Sequence, residues 1–168
     1  MSRMVYVDID GVRFVYRVSG VAIIEGRVLV HQFEGEDDFY VLPGGRVDVR
    51  EPAKEALARE MQEELGCEVR VGRLLWVLDN LFTHKGVDYH ALELIFEITL
   101  PVGSPQASGE PWTGSEDDID MAGGKGLELY FQWKPLAELG SIDLKPSCLR
   151  QMLLELPDRP VYVVHRNE

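Results

Sequence analysis

Apolar and polar positions alternate or cluster in short runs through the first quarter of the chain, which predicts strands. Residues 4–9 and 12–16 are rich in β-branched and aromatic side chains and flank Asp10-Gly11, a two-residue hairpin signal. Val21-Ala22-Ile23-Ile24 and Val28-Leu29-Val30 flank Glu25-Gly26, and their unbroken apolar character predicts buried strands. Residues 39–42 add another, and Pro43-Gly44-Gly45 predicts its stop, because proline lacks a ladder donor and glycine favours turns.

From residue 51 to 65 the apolar period changes to about 3.6. Pro52 suits a first helical turn, no Gly or Pro interrupts the interior, and Gly66 stands where a left-handed residue ends a helix. Leu57, Ala58, Met61 and Leu65 fall on one flank, which predicts packing on a sheet. Strands are expected over 68–77 and 90–100, with turns at Asp79-Asn80 and His84-Lys85-Gly86. Residues 101–126 are rich in Gly, Ser, Pro and Asp with little periodicity, the composition of a lid or an inserted loop. A strand over 127–133, an amphipathic helix over 146–156 and a last strand over 161–164 complete the pattern. The expected organisation is one α/β domain spanning residues 1–168.

Composition narrows the functional classes. Hydrophobic residues at 45% and charged residues at 27% are globular proportions. No window approaches the ~18 apolar residues of a membrane span, and Met1-Ser2-Arg3 leads into no apolar signal core, so a soluble, cytoplasmic protein without a membrane partner is expected. Seventeen Lys+Arg against 29 Asp+Glu give a net charge of -12, which repels a nucleic-acid backbone. An anionic ligand therefore needs local attraction. Cys67 and Cys148 match no zinc spacing and read as reduced thiols.

Local attraction is available on the 51–65 helix. With Glu60 at 0°, Glu64 lies at about 40° and Glu63 at about 300°, so three carboxylates share a ~100° arc. Like charges at these spacings destabilise a helix by ~0.2–0.5 kcal/mol per pair, and acids in the last turn oppose the macrodipole. One reading is a solvated acidic face. The other is a site for a hard divalent cation, Mg2+ or Mn2+, favoured because the arc borders the apolar flank instead of opposing it. Gly44-Gly45 lets the main chain approach such a ligand closely and offers a carbonyl.

Gly45, Glu51, Arg59-Glu60, Glu63-Glu64 and Gly66 together fill every fixed letter of G-x5-E-x7-R-E-U-x-E-E-x-G-U, where U is bulky and apolar. Residues 45–67 thus resemble the Nudix box, and Tyr40-Val41-Leu42-Pro43-Gly44-Gly45 resembles the family's aromatic-x-L-P-G-G entry, with Cys67 smaller than the usual final residue. The resemblance implies an α/β/α sandwich around a mixed β-sheet, and a divalent-metal-dependent hydrolase that cleaves the pyrophosphate of nucleoside diphosphates linked to another group. It implies metal ligation by Glu60, Glu63 and Glu64 with a carbonyl of Gly44 or Gly45, Mg2+ as cofactor with Mn2+ as substitute, and an orienting ion pair between Glu51 and Arg59.

The general base is left between Glu63 and Glu128, with Glu93, Asp117 and Asp118 also available. Arg46, Tyr40 and His84 are the expected substrate contacts; Arg50, Lys85 and His90 are further cations, and Phe82, Tyr89 and Trp112 further aromatic platforms. Phe82-Thr83-His84-Lys85 stands where subgroup markers would fall and carries neither the ADP-ribose nor the dinucleoside polyphosphate marker. The alternatives are a nucleotide-binding or regulatory module of the same fold without turnover, and an isoprenyl diphosphate isomerase, whose cysteine and glutamate context is not found. A second copy of the chain is an expected partner, since the N-terminal hairpin leaves an edge to cover.

Overall fold

The computed structural model describes residues 5–116 and 126–167. Strands β1 (Tyr6–Ile9) and β2 (Val12–Val21) form the expected hairpin, turning on Asp10 (φ 51°) and Gly11 (φ 84°), the pair of left-handed residues that a two-residue turn requires. β3 (Ile23–Ile24) and β4 (Arg27–Phe33) repeat the device at Glu25-Gly26. β5 (Glu36–Val41) and β6 (Gly44–Arg46) lead to helix α1 (Ala53–Leu65). The long hairpin of β7 (Arg70–His84) and β8 (Val87–Thr99) follows, then β9 (Trp112–Glu116), β10 (Leu127–Pro135), a short helix α2 (Leu149–Met152) and β11 (Val161–Arg166).

Two sheets result. The first is mixed, in the order β1-β2-β8-β7-β11 with β6 on the free flank of β2; its β2–β8 and β7–β11 pairs are parallel. The second is antiparallel, in the order β3-β4-β10-β9 with β5 on β4. Strand alternation sends successive residues to two cores. Leu57, Met61 and Leu65 of α1 meet Val18 and Phe96 of the first sheet and Leu129 and Phe131 of the second. Val21, Leu78 and Ile95, from the same sheet's other face, pack with Val30 and with Leu149 and Leu153 of the C-terminal turns. Helices thus flank the sheets on both sides, as expected of an α/β/α sandwich.

Four expectations change. β5 stops at Val41 as expected, but Gly44 and Gly45 open a new strand, β6, because β2 offers a free edge and a Cβ on Gly44 would collide with the Val18 carbonyl and Ser19. Asp79-Asn80 lies inside β7, where neighbouring strands satisfy both side chains: His90 and Tyr162 reach Asp79, and His165 lies between Asn80 Oδ1 (2.9 Å) and Ser147 Oγ (3.1 Å). The 101–126 segment contains a 3-10 turn, Pro105–Ser108, and β9; residues 117–125, with Asp117 and Asp118, lie outside the described residues. The helix read over 146–156 contracts to the single turn of α2. Both cysteines are free, and no helix of the described residues is long and apolar enough to cross a membrane.

Candidate active site

Helix α1 begins behind Pro52, whose extended backbone (φ -65°, ψ 142°) turns the chain into the first turn, and ends at Gly66 in the left-handed region (φ 71°), which donates its N–H to the Gln62 carbonyl at 3.2 Å. Its last carbonyls would otherwise be orphans. Gln106, in the 3-10 turn, donates from Nε2 to the Leu65 carbonyl at 3.0 Å, and the Gln106 carbonyl accepts from Trp133 Nε1 at 3.0 Å. A segment with loop composition therefore fixes the end of the helix.

Arg59 organises the carboxylates. Its Nε and Nη2 donate to the two oxygens of Glu51, each at 2.9 Å, in a bidentate fork, and Asp48 N–H adds 3.0 Å to the same group. These donors, Arg59 first, hold the Glu51 carboxyl below its ordinary value. Arg59 Nη2 also donates to the Arg46 carbonyl at 3.2 Å, and Nη1 reaches Glu60 at 2.7 Å and Glu63 at 3.4 Å. Glu64 is buried and accepts from Gly44 N–H at 3.2 Å. The Glu60 side chain is 12% exposed and lies against Gly45, where any Cβ would collide with its carboxyl. Burial pushes that carboxyl up to about 7 despite the adjacent Arg59.

Among the described residues no three carboxylate, imidazole or thiol groups are gathered into a metal cage. Arg59 holds Glu60 and Glu63, while Gly44 holds Glu64. The donor set fits a hard divalent cation in kind: Glu64 and Glu60 lie against Gly44 and Gly45, Glu63 is held beside Glu60 by Arg59, and Glu60 is pressed into a space where its ionised form is under-compensated.

Strand β6 joins this cluster to a second one. Gly45 faces the α1 carboxylates, so Gly44 and Arg46 face the other way. Arg46, buried, pairs in register with Arg17 of β2. Like charges directly opposite are destabilising, and the buried Glu93 of β8, opposite Arg17 in register, sets a carboxylate beside the two arginines. Arg13 and Arg17 share one face of β2, and that row continues through rings. Arg46 lies 5.6 Å and Arg13 5.3 Å from the centroid of Tyr6, Arg13 lies 6.0 Å from that of Tyr89, and Tyr89 stacks on Phe82 at 5.0 Å. Arg17 to Arg13 is roughly 13 Å along the strand.

The chain matches the family model described as the NUDIX domain over residues 14–155. It belongs to the Nudix family. No curated protein sequence matches it. Among solved structures, a UDP-X diphosphatase superposes with a TM-score of 0.59 at 20% identity over 89% of this chain and 66% of the other, so the chain spans just under two thirds of that protein. A MutT protein from Bacillus halodurans gives 0.58 at 18% identity over 90% and 88%, and an ADP-ribose pyrophosphatase from Streptococcus suis 0.53 at 15% over 89% and 98%. At these identities the likeness is one of fold: an α/β Nudix fold with mixed sheet and few helices.

The structure brings Gly44 together with most Nudix-box residues singled out in the sequence, Gly45, Glu51, Arg59, Glu60, Glu63 and Glu64, with Arg46 beside them. It does not bring Glu128 to them. Leu129 and Phe131 of β10 face α1, so alternation turns Glu128 to the opposite face, where it accepts from Tyr130 Oη at 3.1 Å. Tyr40 likewise packs against the second core, with Lys134 Nζ 4.8 Å from its ring. His84 sits at the β7 turn edge-on to Phe39 at 6.3 Å. Trp112 stacks on Phe131 under α1 and is a core contact. Glu93 is buried beside Ser19, to which it is hydrogen-bonded, and opposite Arg17. Sequence reading missed Arg13, Arg17 and Tyr6. Their odd-and-even placement on β1 and β2 was legible, but their common face with Arg46 depends on β6 pairing with β2.

Proposed function

We propose that this Nudix protein is a divalent-metal-dependent hydrolase that cleaves the pyrophosphate bond of a nucleoside diphosphate linked to another group, such as a nucleoside triphosphate or a nucleotide sugar. The carrying observation is the Glu60 carboxyl, buried against Gly45 with its ordinary ionisation opposed, between Glu63 and Glu64 on one helix face. Glu60, Glu63, Glu64 and a carbonyl of Gly44 or Gly45 would hold Mg2+, for which Mn2+ could substitute. When bound, the ion offsets diphosphate charge and makes phosphorus more open to attack.

The remaining work falls to the chain. Arg17 and Arg46 bind the diphosphate oxygens as charge-assisted donors. The nucleoside lies along β2, its base against Tyr6 and Tyr89, a span comparable to the roughly 13 Å between Arg17 and Arg13. Glu51 and Arg59 lock α1 to the Arg46 carbonyl, so cluster and anion site keep one spacing. Glu63, its side chain 42% exposed and its Arg59 contact long at 3.4 Å, has freedom to accept the proton of an attacking water as the P–O bond to the leaving group breaks.

The test is phosphate release from nucleoside triphosphates, nucleotide sugars, ADP-ribose and dinucleoside polyphosphates, with and without Mg2+ and with Glu64→Gln as blank. Turnover needing both Mg2+ and Glu64 is expected, the variant falling by several orders of magnitude while remaining folded. Near-normal kcat in Glu64→Gln would overturn the ligand assignment. Nucleotide binding without turnover in any condition would favour the regulatory module.

A further inference from the structure

Asn80 is buried within β7, although asparagine is depleted in strand interiors and its neighbours on the same face, Leu78 and Val163, are apolar. Its register partner on β11 is His165, whose Nδ1 donates to Asn80 Oδ1 at 2.9 Å, while Nε2 lies 3.1 Å from Oγ of Ser147 in the turn that leads into α2. The order of the three fixes the protons. An amide oxygen only accepts, so Nδ1 carries the imidazole hydrogen and Nε2 turns its lone pair to the serine hydroxyl. Burial, with the charge of Lys145 second, holds His165 below its ordinary value, so the ring is neutral and able to take a proton near pH 7.

Ser147 also lines an open cavity of about 440 Å3 that the 3-10 helix Leu136–Ser141 and α2 share. Leu136, Ala137 and Leu154 give it apolar walls, and Arg150, whose Nε donates to the Ser147 carbonyl at 3.4 Å, brings it a positive charge. The volume suits a small organic ligand. As a seam between β11 and the C-terminal turns the polar chain is weak, because its net worth is small and apolar side chains of the same shape would hold as well. Its order, a hydroxyl at the cavity, an imidazole behind it and a buried amide behind that, is the order acyl transfer requires.

We propose that Ser147, His165 and Asn80 form a second catalytic site, in which Ser147 is the nucleophile of a metal-independent hydrolysis of carboxylic esters whose small acyl group enters this cavity. Ser147 Oγ forms a bond to the ester carbonyl carbon as its proton passes to His165 Nε2. The carbon–oxygen bond to the alcohol then breaks, and the alcohol leaves with that proton. Water attacks the acyl-serine in turn, its proton returns through His165 to the serine oxygen, and the acid is released, so ester and water become acid and alcohol. Asn80 keeps the ring's orientation and tautomer through both steps, as an asparagine does in thiol versions of this triad. The Arg150 charge beside Ser147 offsets that of the tetrahedral intermediate. None of these residues belongs to the α1 carboxylate cluster, so this site stands or falls independently of the pyrophosphate reading.

The full chain in EDTA, given p-nitrophenyl acetate at about pH 7.5, tests it. A burst of about one equivalent of p-nitrophenolate per chain is expected, and peptide mass mapping after an acid quench should find the acetyl group on Ser147. Ser147→Ala should remove the burst and His165→Gln should slow it by about 100-fold or more, with thermal melts verifying that each variant is folded. The mapping uses the unsubstituted chain, so it decides even where a variant fails to fold. An acetyl group on Cys148 or a lysine with none on Ser147, a burst that survives either substitution, or release no faster than from the urea-unfolded chain would overturn the assignment and leave a hydrogen-bonded seam.

Discussion

Glu60→Gln keeps the shape of a confined side chain and removes its charge. The folded protein raises this carboxyl from 4.5 to about 7, chiefly through burial. At 1.36 kcal/mol per pH unit, holding Glu60 ionised costs the metal-free fold up to about 3 kcal/mol, with little discount for screening because the side chain is 12% exposed. The sign follows from the raised value. Below pH 4.5 the carboxyl is protonated in folded and unfolded chains alike, and the charge costs nothing. As pH rises from 4.5 to about 7 the unfolded chain ionises first, so the penalty grows and then levels. The amide can still accept from Arg59, so the variant should equal wild type near pH 4 and exceed it at pH 8 by up to about 3 kcal/mol, roughly 5–10 °C in Tm for a domain of this size. Urea unfolding in EDTA at the two pH values measures the difference, and added Mg2+ should then stabilise wild type alone. A variant less stable than wild type at pH 8 without metal, or equally gained stability at both pH values, would refute the reasoning.

Three further outcomes are expected. Arg17→Ala should raise KM for a diphosphate substrate by about 10- to 100-fold, the worth of one to two charge-assisted hydrogen bonds, with kcat less affected; an unchanged KM would remove Arg17 from the anion site. Gly114→Ala should lower stability by about 1–3 kcal/mol in chemical denaturation, because the added Cβ collides with the Glu64 carbonyl and the Phe131 ring, and a neutral result would mean β9 can shift freely. Glu51, held below its ordinary value by Arg59, contributes stability above pH 4.5 that is lost as pH falls through its folded-state value, so Glu51→Gln should cost about 1–3 kcal/mol at pH 7 and flatten the acid limb of the stability profile.

What the sequence revealed depended on the range of the interaction involved. Helix α1, its Gly66 end and the hairpin at Asp10-Gly11 follow from torsional preference and local period, and all are found. The box residues were legible for the same reason: most lie on one helix, where spacing in sequence is spacing in space. Strand β6 was not legible, because Gly44-Gly45 becomes a strand only when β2 supplies an edge. Glu128 was assigned by residue type, and whether it faces α1 depends on the alternation phase of β10, which Leu129 and Phe131 set by packing under the helix. Asp79-Asn80 read as a turn because both residues break strands in isolation; partners on β8 and β11 satisfy them instead. Composition also concealed β9 and the 3-10 turn, whose stabilising contacts are with α1 and β10.

Gln106 bridges Leu65, through its side-chain amide, and Trp133, through its main-chain carbonyl, residues far apart in the order of synthesis. The helix that carries the carboxylates leaves the ribosome well before the residue that satisfies its last turn, 41 positions later, and that residue is itself anchored 27 positions further on. At about 5–20 residues per second, the acidic helix end waits seconds for its partner. Until then its final carbonyl must bond water, and the end of the helix can fray. The nascent chain therefore holds all of the box glutamates before it can hold them in place, so affinity for a cation should develop late, with closure of β9 and β10 over the helix.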